Sequence, residues 1–276
     1  LEGELGIEIF ARHGKRIKRV TEPGVQVLKS IEIILREVNN LKRIGEQYAA
    51  QDSGTLSIAT THTQARYVLP GPVAKLRQSY PKVGVSLHQG SPDQVAKMLL
   101  EEVAEIGVAT ESLLNYPELI TLPCYEWQHV LVFPFDHPLA ALERITLEDL
   151  APLQLVTYHP SFTGRTRIDQ AFALRHLKPN VVLEAIDSDV IKTYVKLGMG
   201  VGIVAEMAMQ GDHEGNADLV SRPMGALFGH NLARVAFKRG TYLRQFVLRF
   251  AELLSDRLSR DLIARAMNGT PDDYTL

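Results

Sequence analysis

The sequence predicts an α/β protein of two units that alternate strand and helix, preceded by a basic hairpin and one long amphipathic helix. Three observations predict it. From residue 55 onward, short apolar runs alternate with segments whose apolar residues recur at helical spacing. Such alternation gives mostly parallel sheets with crossover helices, and its extent fits two units of roughly 100 residues better than one large sheet. Ahead of it, "RHGKRIKR" at 12–19 holds five Lys or Arg and no acid, and the stretch after it carries a heptad stripe.

In chain order, "LEGELGIEIF" puts Leu1, Leu5, Ile7, Ile9 and Phe10 where no earlier residue supplies a surface to cover them, so the chain is expected to open inside a fold. The basic hairpin reads either as a phosphate-contacting element or as a solvated loop. Thr21 is a good N-cap, Glu22 suits the positive end of a helix and Pro23 is tolerated in its first turn. Val27, Ile31, Ile34, Val38, Leu41 and Tyr48 then recur in alternating steps of four and three, with Gly45 in the one missing seam position. Burial against its own domain would also explain so short a stripe. Dimerisation is preferred, because "AAQDSGT" after it reads as a linker to a separate domain.

Strands are predicted at Leu56–Ala59, Val83–Leu87, Ile106–Ala109, Ile120–Leu122, Val130–Phe133, Leu155–Tyr158, Val181–Ala185, Val201–Ala205 and Leu232–Phe237. Helices are predicted at Thr63–Tyr80, Pro92–Glu101, Thr163–His176, Val190–Leu197 and Leu243–Leu258. After the first strand, Thr60, Thr61, His62, Thr63 and Gln64 form an unbroken polar run. One Thr suffices to cap a helix, and the surplus points to a ligand beyond the strand's carboxyl end. Both readings stay open on this stretch alone. Thr110, then Thr157, Ser161 and Thr163, then Asp187 and Ser188 repeat the pattern at three further strand ends, where a cleft between two α/β units would be lined.

A charge of −2, 45% hydrophobic residues and 22% charged residues describe a globular chain, with no membrane-length apolar segment and no visible signal peptide; a cytoplasmic location is expected. The single cysteine, Cys124 in "ITLPCY", reads as a buried structural thiol. Nine scattered histidines, with no HxxxH and no CxxC, give no metal site. "LGMGVGIV" resembles a dinucleotide fingerprint, but a helix precedes it and a strand follows, so Gly198 or Gly200 reads as a left-handed helix C-cap. His62, Asp187 and Ser188 lack the logic of a catalytic triad, and no paired carboxylates or activated nucleophile emerge. The reading is therefore of a non-enzyme without cofactor.

"LGIEIFARHGKRIKRVTEPG" resembles the wing and linker-helix start of LysR-type transcriptional regulators. "TTHTQARYVLP", "HQGSPDQ", "IGVATE", "LPCYEW", "FTGRTRID" and "DSDVIKTYVKLGMGVGIVAEMA" resemble their CysB-like subgroup, which activates sulfate-assimilation and cysteine-synthesis genes. The resemblance runs from residue 1 to about 250, and the tail from 257 is uninformative. Roughly the first 40 residues of the family pattern, with its recognition helix, have no counterpart here.

The resemblance implies two Rossmann-like subdomains, similar to type 2 periplasmic binding proteins. They follow the remnant of a winged helix-turn-helix (1–21) and a linker helix (22–50). Subdomain I would be 54–124 plus 230–256, subdomain II 125–229, and the tail 257–276. Between the subdomains would sit a small anionic inducer (acetylserine, sulfate, thiosulfate or adenylyl sulfate), held by Thr61, Thr63, Gln64, Thr110, Trp127 and Thr163. Arg165 and Ser188 are further ligand candidates, with pairing to Asp169 and a helix-capping role as their respective alternatives. Arg12, Lys15 and Arg16 of the wing would contact operator DNA, and Ile31, Ile34, Val38 and Leu41 would pair linker helices in a homodimer or tetramer. The rival reading is a solute-binding protein for sulfate or a similar anion, which shares the cleft but needs a signal peptide and neither basic hairpin nor heptad helix.

Overall fold

The computed structural model describes residues 1–49, 53–162, 164–210 and 216–269, leaving aside the side chain of Glu111. The chain divides into two compact units, Leu1–Gln51 with Gly240–Arg244 and Asp52–Arg239 with Gln245–Leu276.

In the first unit, a turn of helix α1 (Glu2–Leu5) leads into the antiparallel hairpin β1 (Phe10–His13) and β2 (Arg16–Val20). The Glu2 carboxylate accepts from the Ile9 and Phe10 amides at 2.7 and 3.0 Å, which ties the hairpin's base to α1. Helix α2 (Glu22–Ala49) begins as expected, with the Gly24 amide donating to Thr21 Oγ1 at 2.9 Å. Its seam is open: Ile34 and Leu41 are 61% and 69% exposed, Val38 is exposed, and Ile31 is half-buried. Asn40 is buried in the middle of the helix, donating to the Gly240 carbonyl at 2.9 Å and accepting from the Tyr242 amide at 2.8 Å.

The second unit holds β3 (Ser53–Thr60), α3 (His62–Tyr67), α4 (Pro70–Ser79), β4 (Lys82–Gln89), α5 (Pro92–Leu100), β5 (Ile106–Ala109), β6 (Leu119–Pro134), α6 (Leu147–Leu150) and β7 (Gln154–Tyr158). There follow α7 (Arg165–Leu174), β8 (Asn180–Ala185), α8 (Ser188–Lys196), β9 (Val201–Ala205), β10 (Leu219–Pro223), α9 (Gly225–Phe228), β11 (His230–Lys238), α10 (Gln245–Leu254) and α11 (Arg260–Asn268). The sheet order is β4-β3-β5-β11-β6-β9-β7-β8, with β10 against β6. Parallel strands lie at both ends, and the antiparallel pair β6/β11 runs through the middle. Each end has its own core, one around Val95, Leu99 and Leu113, the other around Phe133, Phe172 and Ile203. These are two α/β lobes joined by two shared strands.

The structure departs from the predicted elements where a long-range partner overrides a local signal. Ile120–Leu122 and Val130–Phe133 are one 16-residue strand, β6. Pro123 reads locally as a break, but it sits opposite a register shift at Ala233/Arg234, where the ladder is already interrupted and the missing N–H costs little. The helix predicted at Thr63–Tyr80 is two helices, because Pro70 has no N–H to extend the first and opens α4 at its first position. Strand β10 and helix α11 escape prediction. Ile263 and Ala266 of α11 are buried, so part of the stretch read as an uninformative tail is packed.

Gly198 does end α8 in a left-handed conformation (φ +78°), with the Gly198 amide on the Val195 carbonyl and the Met199 amide on that of Tyr194 at 2.9 and 3.1 Å. Gly200 is needed for another reason: a Cβ there would lie 2.3 Å from the Gln154 carbonyl oxygen, at φ +151°. Gly200→Ala is expected to destabilise the unit by about 3 kcal/mol and Gly198→Ala, which faces open space, by about 1 kcal/mol. Urea unfolding of the two variants checks the order.

Candidate functional site

The parallel strands of both lobes end at a cleft lined by Thr61, Thr63, Gln64, Pro92, Thr110, Trp127, Tyr158, Phe162 and Ala205. Five of the eight predicted ligand residues line it: Thr61, Thr63, Gln64, Thr110 and Trp127. Thr163 lies outside the described residues.

Thr61 occupies the cap position of α3, and its side chain makes no capping bond. Gln64 is buried one turn on, and the Tyr125 hydroxyl donates to its Oε1, which leaves the amide NH2 as its donor end. Thr110 is buried at the end of β5. Trp127, on β6, is 6% exposed, and its indole Nε1 has no hydrogen-bond partner among the described residues. A buried donor without a partner is unfavourable, and here it belongs to a cleft residue. Among the described residues, no charged side chain lines the cleft.

Arg165 and Ser188 are not among the residues lining this cleft. Arg165 does not line the cleft: its guanidinium donates to Asp169 at 2.8 Å, Glu184 at 2.7 Å and the Tyr158 carbonyl at 2.8 Å, and it borders a separate surface concavity. Ser188 is fully buried behind the cleft, 2.6 Å from the Tyr158 hydroxyl. Thr157 and Ser161 are also turned away, Thr157 to the Ile203 carbonyl (3.1 Å) and Ser161 to His159 (2.7 Å). Sequence reasoning missed Tyr158, Phe162, Pro92 and Ala205. The period of two along β7 was the available signal: if Thr157 faces one way, Tyr158 faces the other. Tyr158 is anchored by Ser188, by the Ala205 amide, which donates to its hydroxyl at 2.9 Å, and by the Thr63 hydroxyl, and burial pushes its own hydroxyl above the usual range.

Behind Trp127 stands His129, fully buried and edge-on to the indole (centroids 5.1 Å, planes 69°) and to Phe228 (6.0 Å, 89°). Burial, with the Arg167 charge adding to it, pushes its pKa down to about 3. A Cβ on Gly164, at φ +78°, would meet His129 Nε2 at 2.5 Å, so only glycine fits there. Cys124 is buried as expected, and burial pushes its thiol up to about 12. Among the described residues no group of three His, Cys, Asp or Glu is placed to hold a metal, and no helix is long and apolar enough to cross a membrane.

One side of the cleft is bridged by polar contacts. His62 Nε2 lies 3.0 Å from Asp187 Oδ2, Arg66 Nε 3.2 Å from Asp189 Oδ2, and the Tyr67 hydroxyl donates to Asp189 Oδ1 at 2.6 Å. Burial alone would raise the Asp189 carboxyl; Tyr67, Lys192 and Arg66 outweigh it and hold it below its ordinary range.

The model of the LysR substrate binding domain matches residues 49–259. The chain is 52% identical over 276 residues to the HTH-type transcriptional regulator CysB of Burkholderia cenocepacia, covering 100% of this chain and 88% of that protein. It is 47% identical over 264 residues to the regulator SsuR of the same species, covering 96% and 85%. Among solved structures, the cofactor-binding domain of the Cbl transcriptional regulator superposes with a TM-score of 0.74 at 44% identity, covering 79% of this chain and 95% of that one.

Proposed function

The chain belongs to the LysR-type transcriptional regulators, in the group of CysB, SsuR and Cbl, and from that premise we propose that its cleft senses a small anion of sulfur metabolism. The candidates are acetylserine in its O- or N-form, sulfate, thiosulfate and adenylyl sulfate. The observation that carries this reading is the meeting of Thr61, Thr63, Gln64, Thr110 and Trp127, whose indole N–H has no partner among the described residues, in one cleft whose described lining carries no charge. Neutral donors hold an anion without a fixed countercharge, each charge-assisted bond contributing about 1.5–3 kcal/mol. Three or four of them, less desolvation, give affinity on the order of micromolar, suited to a metabolite sensor. Pro92, Phe162 and the indole offer an apolar wall for a methyl or acyl group. Thr163 enters this proposal through the sequence resemblance alone.

The lobes provide the output. An effector that binds one lobe arrangement better than another shifts their equilibrium, and with it the regulation of sulfate-assimilation and cysteine-synthesis genes. Arg12, Lys15 and Arg16 on the exposed hairpin are proposed to contact operator phosphates, and Ile31, Ile34, Val38 and Leu41 to pair two linker helices in a homodimer or tetramer. The relatives are transcriptional regulators, which favours this reading over an enzyme or a solute-binding protein.

The test is a thermal-shift panel of the five ligands followed by calorimetry. At least one is expected to raise the melting temperature, since a ligand at 100 times its Kd adds about 2.7 kcal/mol. Thr61→Val is expected to weaken that ligand roughly ten-fold. Unchanged melting with all five would refute the proposal.

A further inference from the structure

Helix α3 has two faces with different partners. Thr61, Thr63 and Gln64 turn to the cleft, while His62, Arg66 and Tyr67 reach across to the first residues of α8 in the other lobe. We propose that Asp187 and Asp189 are positioning residues that latch α3 to α8, and that this latch sets how tightly the cleft holds its anion. The inference rests on the effector reading above and deepens it.

Both carboxylates are held in place from their own lobe. The Asp189 amide donates to Asp187 Oδ1 at 2.8 Å, capping α8 and leaving Oδ2 for His62. Lys192, 4% exposed, lies 2.9 Å from Asp189 Oδ1 and is anchored by the Ala208 carbonyl at 2.9 Å and Asn216 Oδ1 at 3.0 Å. Asp189 thus meets Arg66 and Tyr67 with its orientation already set, so little further ordering is needed to join the lobes. The same saturation matters for the ligand. Two bare carboxylates beside an anion site would repel the anion, whereas Asp189 is matched by the Arg66 and Lys192 cations and Asp187 is engaged by the Asp189 amide and His62. Apparent affinity scales with the fraction of molecules whose cleft walls face each other, and the latch raises that fraction.

The experiment uses the full chain and its one tryptophan, Trp127, whose emission reports the cleft alone. Arg66→Ala alters an exposed side chain and serves as the variant certain to fold beside Asp189→Asn. Acrylamide quenching of Trp127 is expected to rise in both, and sulfate affinity by calorimetry to fall about three-fold in Arg66→Ala and ten-fold in Asp189→Asn. The double variant is expected to match Asp189→Asn, and Arg66→Lys to keep the unaltered affinity. A purely structural role would lower the melting temperature without moving quenching or affinity, and that result overturns the latch. If the unaltered chain binds neither sulfate nor acetylserine while quenching still rises in the variants, the effector reading falls, the role in anion affinity falls with it, and only the clasp of α3 to α8 stands.

Discussion

Acidification from pH 7.5 to pH 5 is expected to cost the effector module about 2 kcal/mol of stability, and His129→Leu to remove that loss. His129 is fully buried, and its folded-state pKa is pushed down to about 3 from the ordinary 6.5. Above pH 6.5 the imidazole is neutral in both states and stability is complete. Below it the unfolded chain takes up a proton that the folded chain refuses. Stability therefore falls as pH drops, by about 1.4 kcal/mol per unit, until the folded ring itself titrates near pH 3. Carboxylates held below their usual range, Asp189 among them, lose their contribution only at lower pH, outside this window. Urea midpoints at pH 7.5, 6.5, 5.5 and 5 measure the slope. Parallel slopes in the two proteins would show that His129 is not the group responsible.

Trp127→Ala is the substitution expected to reduce effector affinity most, by about 100-fold or more. It removes an apolar wall, worth about 1.5–3 kcal/mol if the ligand's apolar part covers it, and an indole N–H worth about 1 kcal/mol. Trp127→Phe keeps the wall and deletes the donor, so a loss of only several-fold is expected. Calorimetry with the ligand that gives the largest thermal shift checks both. Equal losses in the two variants would assign the whole effect to the N–H, and no loss in either would remove Trp127 from the site.

What the sequence made legible was what short-range pattern encodes. Period and run length marked most strands of the parallel halves, and charge marked the hairpin. Thr21, Pro23 and Gly198 act through their immediate neighbours, and each sits where its local chemistry predicts. The polar strand ends pointed to a cleft, and Thr61, Thr63, Gln64 and Thr110 line one, together with Trp127, which only the family resemblance had named. Less legible was which neighbour of each pair faces inward. Arg165 and Ser188 carry suitable groups at suitable strand ends, yet Asp169 and Glu184 engage the first and Tyr158 the second.

By itself, then, the amino-acid order determined the kind of protein: two α/β lobes, a basic hairpin, a heptad helix, and a regulator family written in dense local motifs. Tertiary structure alone decided that β6 runs unbroken through both lobes, that α11 packs, that Tyr158 and Phe162 rather than Thr157 and Ser161 face the cleft, and that α3 is clasped to α8. The reason is range. Helix spacing, caps and charge runs act within a turn or two of chain, whereas a ladder partner, a burial direction or an ion pair such as Arg66 with Asp189 joins residues more than a hundred positions apart and exists only once the lobes have formed.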